Sequence, residues 1–246
     1  MKLSPNKWLT CFKPKPHAMF NLVCFPFGGA GASVYKSWVE ELPDTVQLWA
    51  VQLPGRENRF SENFVADPEF LAKKVVDDLV AMSLDNLVVF GHSMGSDFAV
   101  LATEEIAARG MSMPKLLVVS GNKPPCVATQ KKWGQVEDSA LLDHVIGLGA
   151  IPAEVVNNKD FLDMYLVKIR ADYLLYEANI MRSPIAFNVP VLVVYGEDDP
   201  LLQGIDMQQW NPYSLIKTEV VSLIGEHFYF QPNNRALISE IITHVL

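Results

Sequence analysis

Residues 87–95 constrain the fold more than any other stretch. Leu87-Val88-Val89-Phe90 runs into Gly91-His92-Ser93-Met94-Gly95, and a helical pattern follows. A G-x-S-x-G pentad between a strand and a helix is the sequence form of a nucleophile elbow. The serine of such an elbow sits on a sharp turn, so the residues two before and two after it must be small. Gly91 and Gly95 meet that need. The turn lifts the Ser93 hydroxyl above the end of a sheet. There it stands at a helix N-terminus, where backbone N–H groups favour developing negative charge. The competing reading, a serine cap between two turn glycines, loses ground once the rest of the chain supplies partners for the hydroxyl.

The remaining pattern alternates strand and helix. Apolar runs at Phe20–Phe25, Gln47–Leu53, Lys115–Ser120, Pro190–Tyr195 and Thr218–Ile224 read as further strands. Ser33–Leu42 reads as a short helix carrying Trp38. Asp67-Pro68-Glu69 opens another with a cap side chain, a proline in the first turn and an acid beside it. Its apolar positions Phe70, Leu71, Val75, Val76, Leu79 and Val80 have the spacing of a core-facing stripe. The helix after the elbow should end near Gly110, and Asn234–Leu246 closes the chain. Residues 1–19 read as polar and proline-bearing, with Trp8 and Phe12 as anchors. This alternation predicts an α/β fold with a mostly parallel central sheet and helices on both faces. Between Asn122 and Asn188 the strand pattern stops, and helices are expected at Ser139–Leu148 and Asp160–Ile180. The segment 122–188 therefore reads as a helical lid inserted in a single domain spanning 1–246, with its aromatics read as core rather than pocket wall.

Composition narrows the partners. The chain has 246 residues, half of them hydrophobic, enough to bury one full core. Its net charge of −8 argues against nucleic acid. The three cysteines, Cys11, Cys24 and Cys126, are odd in number and lack metal spacing, as expected of reduced thiols in a cytoplasmic protein. No run approaches the ~18 apolar residues of a membrane span, and the basic N-terminal segment leads into no signal-peptide core. A soluble protein that neither enters a membrane nor leaves by that route is expected.

Active-site groups in open α/β sheets gather beyond the carboxyl ends of strands. Ser93, Asp199 and His227 each fall just past such an end, in the order serine, acid, histidine that the α/β-hydrolase arrangement requires. A serine needs a base within reach, and the base needs an acid to orient it. Of the five histidines, His17 precedes the nucleophile, His92 lies inside the elbow and reads as structural, His144 lies in the lid, and His244 ends the last helix. His227 alone follows a post-strand acid. Asp199, fixed before Pro200, is preferred to the adjacent Asp198 as that acid. The loop Pro26-Phe27-Gly28-Gly29-Ala30-Gly31-Ala32 lacks the lysine ending of a phosphate loop and the dinucleotide fingerprint. It suits the second donor of an oxyanion hole, one N–H of Phe27, Gly28 or Gly29, beside the N–H of Met94. These groups serve acyl transfer of any kind and name no substrate.

Several motifs go further. Cys24-Phe25-Pro26-Phe27-Gly28-Gly29, Pro54-Gly55-Arg56-Glu57-Asn58-Arg59, the elbow itself, Ser120-Gly121-Asn122-Lys123-Pro124-Pro125, Arg170-Ala171-Asp172-Tyr173, Gly196-Glu197-Asp198-Asp199-Pro200 and Gly225-Glu226-His227-Phe228 resemble, nearly end to end, the type II thioesterases of nonribosomal peptide and polyketide synthesis. The resemblance implies an α/β-hydrolase with the triad Ser93, Asp199 and His227, and an oxyanion hole of Gly28 and Met94. It implies hydrolysis of acyl or aminoacyl groups from the phosphopantetheine thiol of carrier proteins. No metal or soluble cofactor is implied, since the phosphopantetheine belongs to the carrier. A monomer is expected. A fatty-acyl carrier-protein thioesterase of medium or long chains, a general small-molecule esterase and a non-catalytic carrier-binding module are the alternatives. The sequence departs from the family pattern at Phe27 (usually His or Tyr), Gly28 (usually Ala), Asn122-Lys123 (usually a basic pair) and Ser96-Asp97 (usually small or apolar). Asp97 reads either as an influence on the helix end or as a solvated acid.

Overall fold

The computed structural model describes residues 7–127, 131–151, 158–179 and 182–245. The expected lid range includes residues 128–130, 152–157 and 180–181, which lie outside the described residues, as do residues 1–6 of the N-terminal segment and Leu246.

The strands are β1 (Leu9–Thr10), β2 (Phe20–Phe25), β3 (Val46–Val51), β4 (Leu87–His92), β5 (Leu116–Ser120), β6 (Val191–Gly196) and β7 (Thr218–Leu223). They form one sheet in the order β1-β3-β2-β4-β5-β6-β7. Among the described strands only β1 runs antiparallel, pairing Leu9 with Val51. β4 lies at the centre, with Phe25 opposite Gly91 on one side and Ser120 opposite His92 on the other. The strands are nearly continuous apolar runs because both faces are covered. Alternate residues of β2 divide between two cores: Val23 and Phe25 face one side with Val75, Val89 and Phe98, and Leu22 and Cys24 face the other with Trp38, Phe90 and Leu237.

The helices are α1 (Trp38–Glu41), α2 (Pro68–Ala81), α3 (Met94–Ala108), α4 (Asp138–Gly147), α5 (Lys159–Glu177) and α6 (Arg235–Thr243). Asp67 caps α2 by accepting from the N–H groups of Glu69 and Phe70, as its sequence signature requires. Phe70 and Val80 correct the expected stripe. Both stand about half exposed on the outer side of α2, and Phe70 packs edge-on to Trp8. The expected helix over Ser33–Leu42 divides into a 3₁₀ turn at Ala32–Tyr35 and the single turn of α1. Tyr35 and Trp38 both sink into the core there, and the Tyr35 hydroxyl donates to the Phe25 carbonyl at 2.6 Å. A further 3₁₀ element, Met207–Tyr213, buries Trp210 and Tyr213. No helix among the described residues is long and apolar enough to cross a membrane.

The elbow joins β4 to α3. Ser93 adopts φ 53 and ψ −126, a conformation that costs about 1–3 kcal/mol for a residue with a side chain. A Cβ on Gly91 would run into the Gly95 carbonyl, and one on Gly95 into the Phe25 carbonyl. Both obstacles are backbone, so neither can swing aside. Gly95→Ala should accordingly abolish soluble expression or lower the thermal midpoint steeply. Gly110→Ala, where a Cβ meets open space, is the control for backbone conformation alone. Equal midpoints for the two variants would contradict this packing.

Candidate active site

Strand ends bring the three expected residues to one place. Asp199 lies three residues past the end of β6, and His227 follows β7 by four residues. His227 Nδ1 lies 2.8 Å from Asp199 Oδ2. The other carboxylate oxygen accepts the N–H of Leu201 at 2.9 Å, which fixes the orientation of the acid. Asp199 is 1% exposed and His227 2%, so water competes little for the pair. Asp198 is exposed, in keeping with the preference for Asp199. His227 and Ser93 line the same cavity, of about 430 Å³, together with Gly28 and Met94.

The structure narrows the choice of donor within the loop 26–32, expected to supply the second oxyanion N–H. The N–H of Gly29 donates to Asp172 Oδ2 at 2.7 Å and is occupied. The Gly28 backbone stays at the cavity wall. A Cβ on Gly28 would approach the side-chain end of Ile169 of α5 within 3.2 Å, so an alanine there needs that side chain to shift slightly. Met94 opens α3, and the first N–H groups of a helix have no partner inside it.

The helices between β5 and β6 form the opposite wall. Tyr165, Leu166 and Ile169 pack with Leu141 and Val145 in a small core of their own, with Tyr173 against it. Ile169, Tyr173 and Tyr176 also line the cavity, so two of the aromatics expected to be core form part of its wall. Two motif residues explain how α5 is held. Arg170 donates to the carbonyls of Gly134 and Val136 and pairs with Asp138, tying α5 to the start of α4. Asp172 reaches the body instead. It takes a two-armed contact from Arg56 at 2.6 and 2.7 Å, with both side chains buried, besides the bond from Gly29. Arg56 also donates to the Ala30 carbonyl. Three separate sequence motifs thus meet in one buried knot behind the loop that carries Gly28.

The other histidines divide as their surroundings dictate. His17 is exposed. His92 is fully buried, with Nδ1 2.9 Å from Ser120 Oγ and its ring 4.9 Å from that of His227. Burial, followed by the nearby His227, holds it well below the usual histidine range and keeps it neutral. His244 Nδ1 lies against the Glu240 carbonyl. His144 belongs to the cavity wall. Its ring stacks on Trp133 at 3.6 Å, and Lys131 covers Trp133 at 4.0 Å. Desolvation, helped by His227 and Lys131, pushes His144 down to about 4. Phe27 packs edge-on to Phe228 at 4.8 Å in the loop that carries His227.

Asp97 overturns the solvated-acid reading. It is 1% exposed, and its Oδ2 accepts from Asn122 Nδ2 at 2.5 Å. Burial lifts it to about 8, against the opposing pull of the Asn122 hydrogen bond, Lys123 and Arg182. The unfolded carboxyl titrates near ~3.9, so between about pH 4 and 8 the folded state binds the extra proton. Stability from this group is greatest below pH 4, falls as pH rises to about 8 and is level above. Asp97→Asn should therefore raise the thermal midpoint more at pH 8.5 than at pH 5. Equal shifts at both values would contradict it.

A family model for the thioesterase domain matches residues 20–245. The chain belongs to the thioesterase domain family. Among curated relatives, thioesterase PikA5 of Streptomyces venezuelae is 28% identical over 247 residues, covering 100% of this thioesterase chain and 88% of the relative. The medium-chain S-acyl fatty acid synthase thioesterase of Rattus norvegicus is 27% identical, covering 98% and 93%. Among solved structures, RedJ, the thioesterase of the prodiginine pathway in Streptomyces coelicolor, superposes with a TM-score of 0.87 at 29% identity, covering 94% and 92%. BorB, the type II thioesterase of the borrelidin cluster, does so with 0.87 at 26%, covering 97% and 98%. The thioesterase fold is thus the α/β-hydrolase arrangement that the order of strands and motifs implied.

Proposed function

We propose that this thioesterase hydrolyses acyl or aminoacyl thioesters from the phosphopantetheine arm of carrier proteins, clearing misprimed groups from peptide or polyketide synthases. The observation that carries the reading is the buried Asp199–His227 pair opening on the cavity that Ser93 lines. In this mechanism His227 takes the Ser93 proton as Oγ attacks the thioester carbonyl. Asp199, on the opposite ring nitrogen, orients the imidazole and stabilises its cation. The N–H groups of Met94 and Gly28 receive the oxyanion. The tetrahedral intermediate collapses by breaking the C–S bond, and the pantetheine sulfur leaves with the proton from His227. Water then loses a proton to His227 and attacks the Ser93 ester, releasing the acid and restoring the serine. No step calls for a metal or a soluble cofactor. The helices of segment 122–188 act as the lid over this chemistry.

Support for the carrier-bound substrate comes from the relatives, which include PikA5 and the type II thioesterase BorB. A second reading, release of medium-chain fatty acyl groups, draws on the rat relative and on the aromatic wall of Trp133, Tyr173 and Tyr176. The test loads a carrier protein with acetyl, aminoacyl or dodecanoyl groups and follows release by intact-protein mass spectrometry, with the matching coenzyme A thioesters alongside. Faster release from the carrier with tolerance of acetyl is expected. Selective release of dodecanoyl would favour the second reading, and rapid hydrolysis of free esters without preference for the carrier would contradict both.

A further inference from the structure

Two departures from the family pattern, the acid at 97 and the asparagine at 122, are distant in sequence and touch in space. Asn122 Nδ2 donates to Asp97 Oδ2 and also, at 3.0 Å, to the carbonyl oxygen of Ser93. The other end of the same amide accepts the N–H of Lys123 at 3.0 Å, and the Asn122 carbonyl accepts the indole N–H of Trp210 at 3.1 Å. The amide is held from both ends. Its NH₂ group faces two acceptors, Asp97 and the nucleophile's own carbonyl.

That carbonyl matters because a peptide unit is planar. The C=O of Ser93 and the N–H of Met94 belong to one plane, and a grip on the oxygen sets the direction of the hydrogen. The Met94 N–H is the donor assigned above to the oxyanion. Ser96, the other polar residue after the elbow, braces the same turn from its far side. Its hydroxyl donates toward the carbonyls of Gly91 at 2.9 Å and Ser120 at 3.0 Å. Asp97 is an expensive residue to place here. Its neighbours on α3, Phe98, Val100 and Leu101, are buried and apolar, and its Oδ1 has no hydrogen-bond partner among the described residues. An apolar side chain would pack there without that penalty, so the acid points to a task other than packing.

We propose that Asp97 is a positioning residue for the nucleophile elbow: through Asn122 it clamps the Ser93 carbonyl and so aims the Met94 N–H at the oxyanion. The inference rests on Ser93 as the nucleophile. A donor out of line weakens the transition state more than the bound substrate, so the effect falls on kcat rather than KM.

The experiment measures kcat and KM on a soluble pantetheine thioester for wild type, Asp97→Leu, Asp97→Asn, Asn122→Leu and the double variant Asp97→Leu with Asn122→Leu. Asp97→Leu should lower kcat about 10–100-fold with KM within about twofold, a fraction of the ~10²–10³ lost with a whole oxyanion donor. Asp97→Asn keeps an oxygen facing Asn122 and should recover most of that loss, which a role for the charge alone would not allow. The double variant should be no slower than the slower single, because the two residues act as one chain. If Asp97→Leu does not fold, Asn122→Leu at the cavity wall reads the same link. Asp97→Leu turning over within twofold of wild type, Asp97→Asn as slow as Asp97→Leu, or losses that multiply in the double variant would overturn the proposal. The rate of covalent labelling by a fluorophosphonate is measured on the same set. Wild type that labels but does not turn over thioesters would remove the substrate reading and leave the clamp to be judged from the labelling rates. Wild type that does not label would remove the nucleophile and the clamp with it.

Discussion

Ser93→Ala and His227→Ala should each lower kcat for acyl release by about 10⁴–10⁶-fold, and combining them should cost no more than the worse single change. The two groups act in one step. Without the base the hydroxyl is no nucleophile, and without the hydroxyl the base has no proton to take. The residual rate belongs to the oxyanion donors and to binding, which both variants keep. Asp199→Asn should cost less than either, because the ring of His227 stays at hydrogen-bond distance while its tautomer is wrong. Ser93→Ala removes no large apolar surface and should leave the thermal midpoint near wild type, whereas His227→Ala strips the buried Asp199 carboxylate of its partner and should lower it. Multiplicative losses in the double variant would mean that Ser93 and His227 serve separate functions.

Asp172→Ala should be the most destabilising single change away from the elbow, by about 3–5 kcal/mol. It leaves the Arg56 guanidinium, 4% exposed, without its carboxylate, and strips the Gly29 N–H of its acceptor. Water cannot readily reach either group, so each keeps its desolvation cost. The wound lies behind the loop that carries Gly28, and activity should fall with stability. Arg56→Met with Asp172→Leu should recover much of the folding energy, since a buried pair replaced whole by apolar side chains is often tolerated. It should not recover activity, because the Gly29 N–H stays unpaired and the loop loose. Denaturant unfolding of Asp172→Ala and of the double variant reads this directly. A single-variant loss below 1 kcal/mol would show that the knot is solvated.

How far the sequence disclosed these arrangements depended on whether the signal was local. The elbow, the Asp67 cap and the strand ends carrying Asp199 and His227 are each written in a few adjacent residues, and the structure places them as read. β1 was not legible: two residues show no periodicity, and the pairing of Leu9 with Val51 is decided by the neighbouring strand. The 3₁₀ turn around Trp210 has a proline inside it and no helical spacing, yet its indole reaches Asn122 beside the site. The motifs holding Arg56 and Asp172 were visible, but their partnership spans 116 positions and is a property of the fold. Asp97 misled for a related reason. One acid in a helix looks solvated until both faces of that helix prove to be covered. His144 and Tyr173 gave no sign of their side of α4 and α5, because both helices bury one stripe against each other and turn another toward the cavity.

The most direct test is to quench the reaction of the enzyme with an acyl-loaded carrier within one turnover and locate the acyl group by peptide mass. The account requires an acyl ester on Ser93, with holo-carrier released in equal amount and no adduct in Ser93→Ala. Release of free acid with Ser93 never acylated, or an adduct on any other residue, would contradict it.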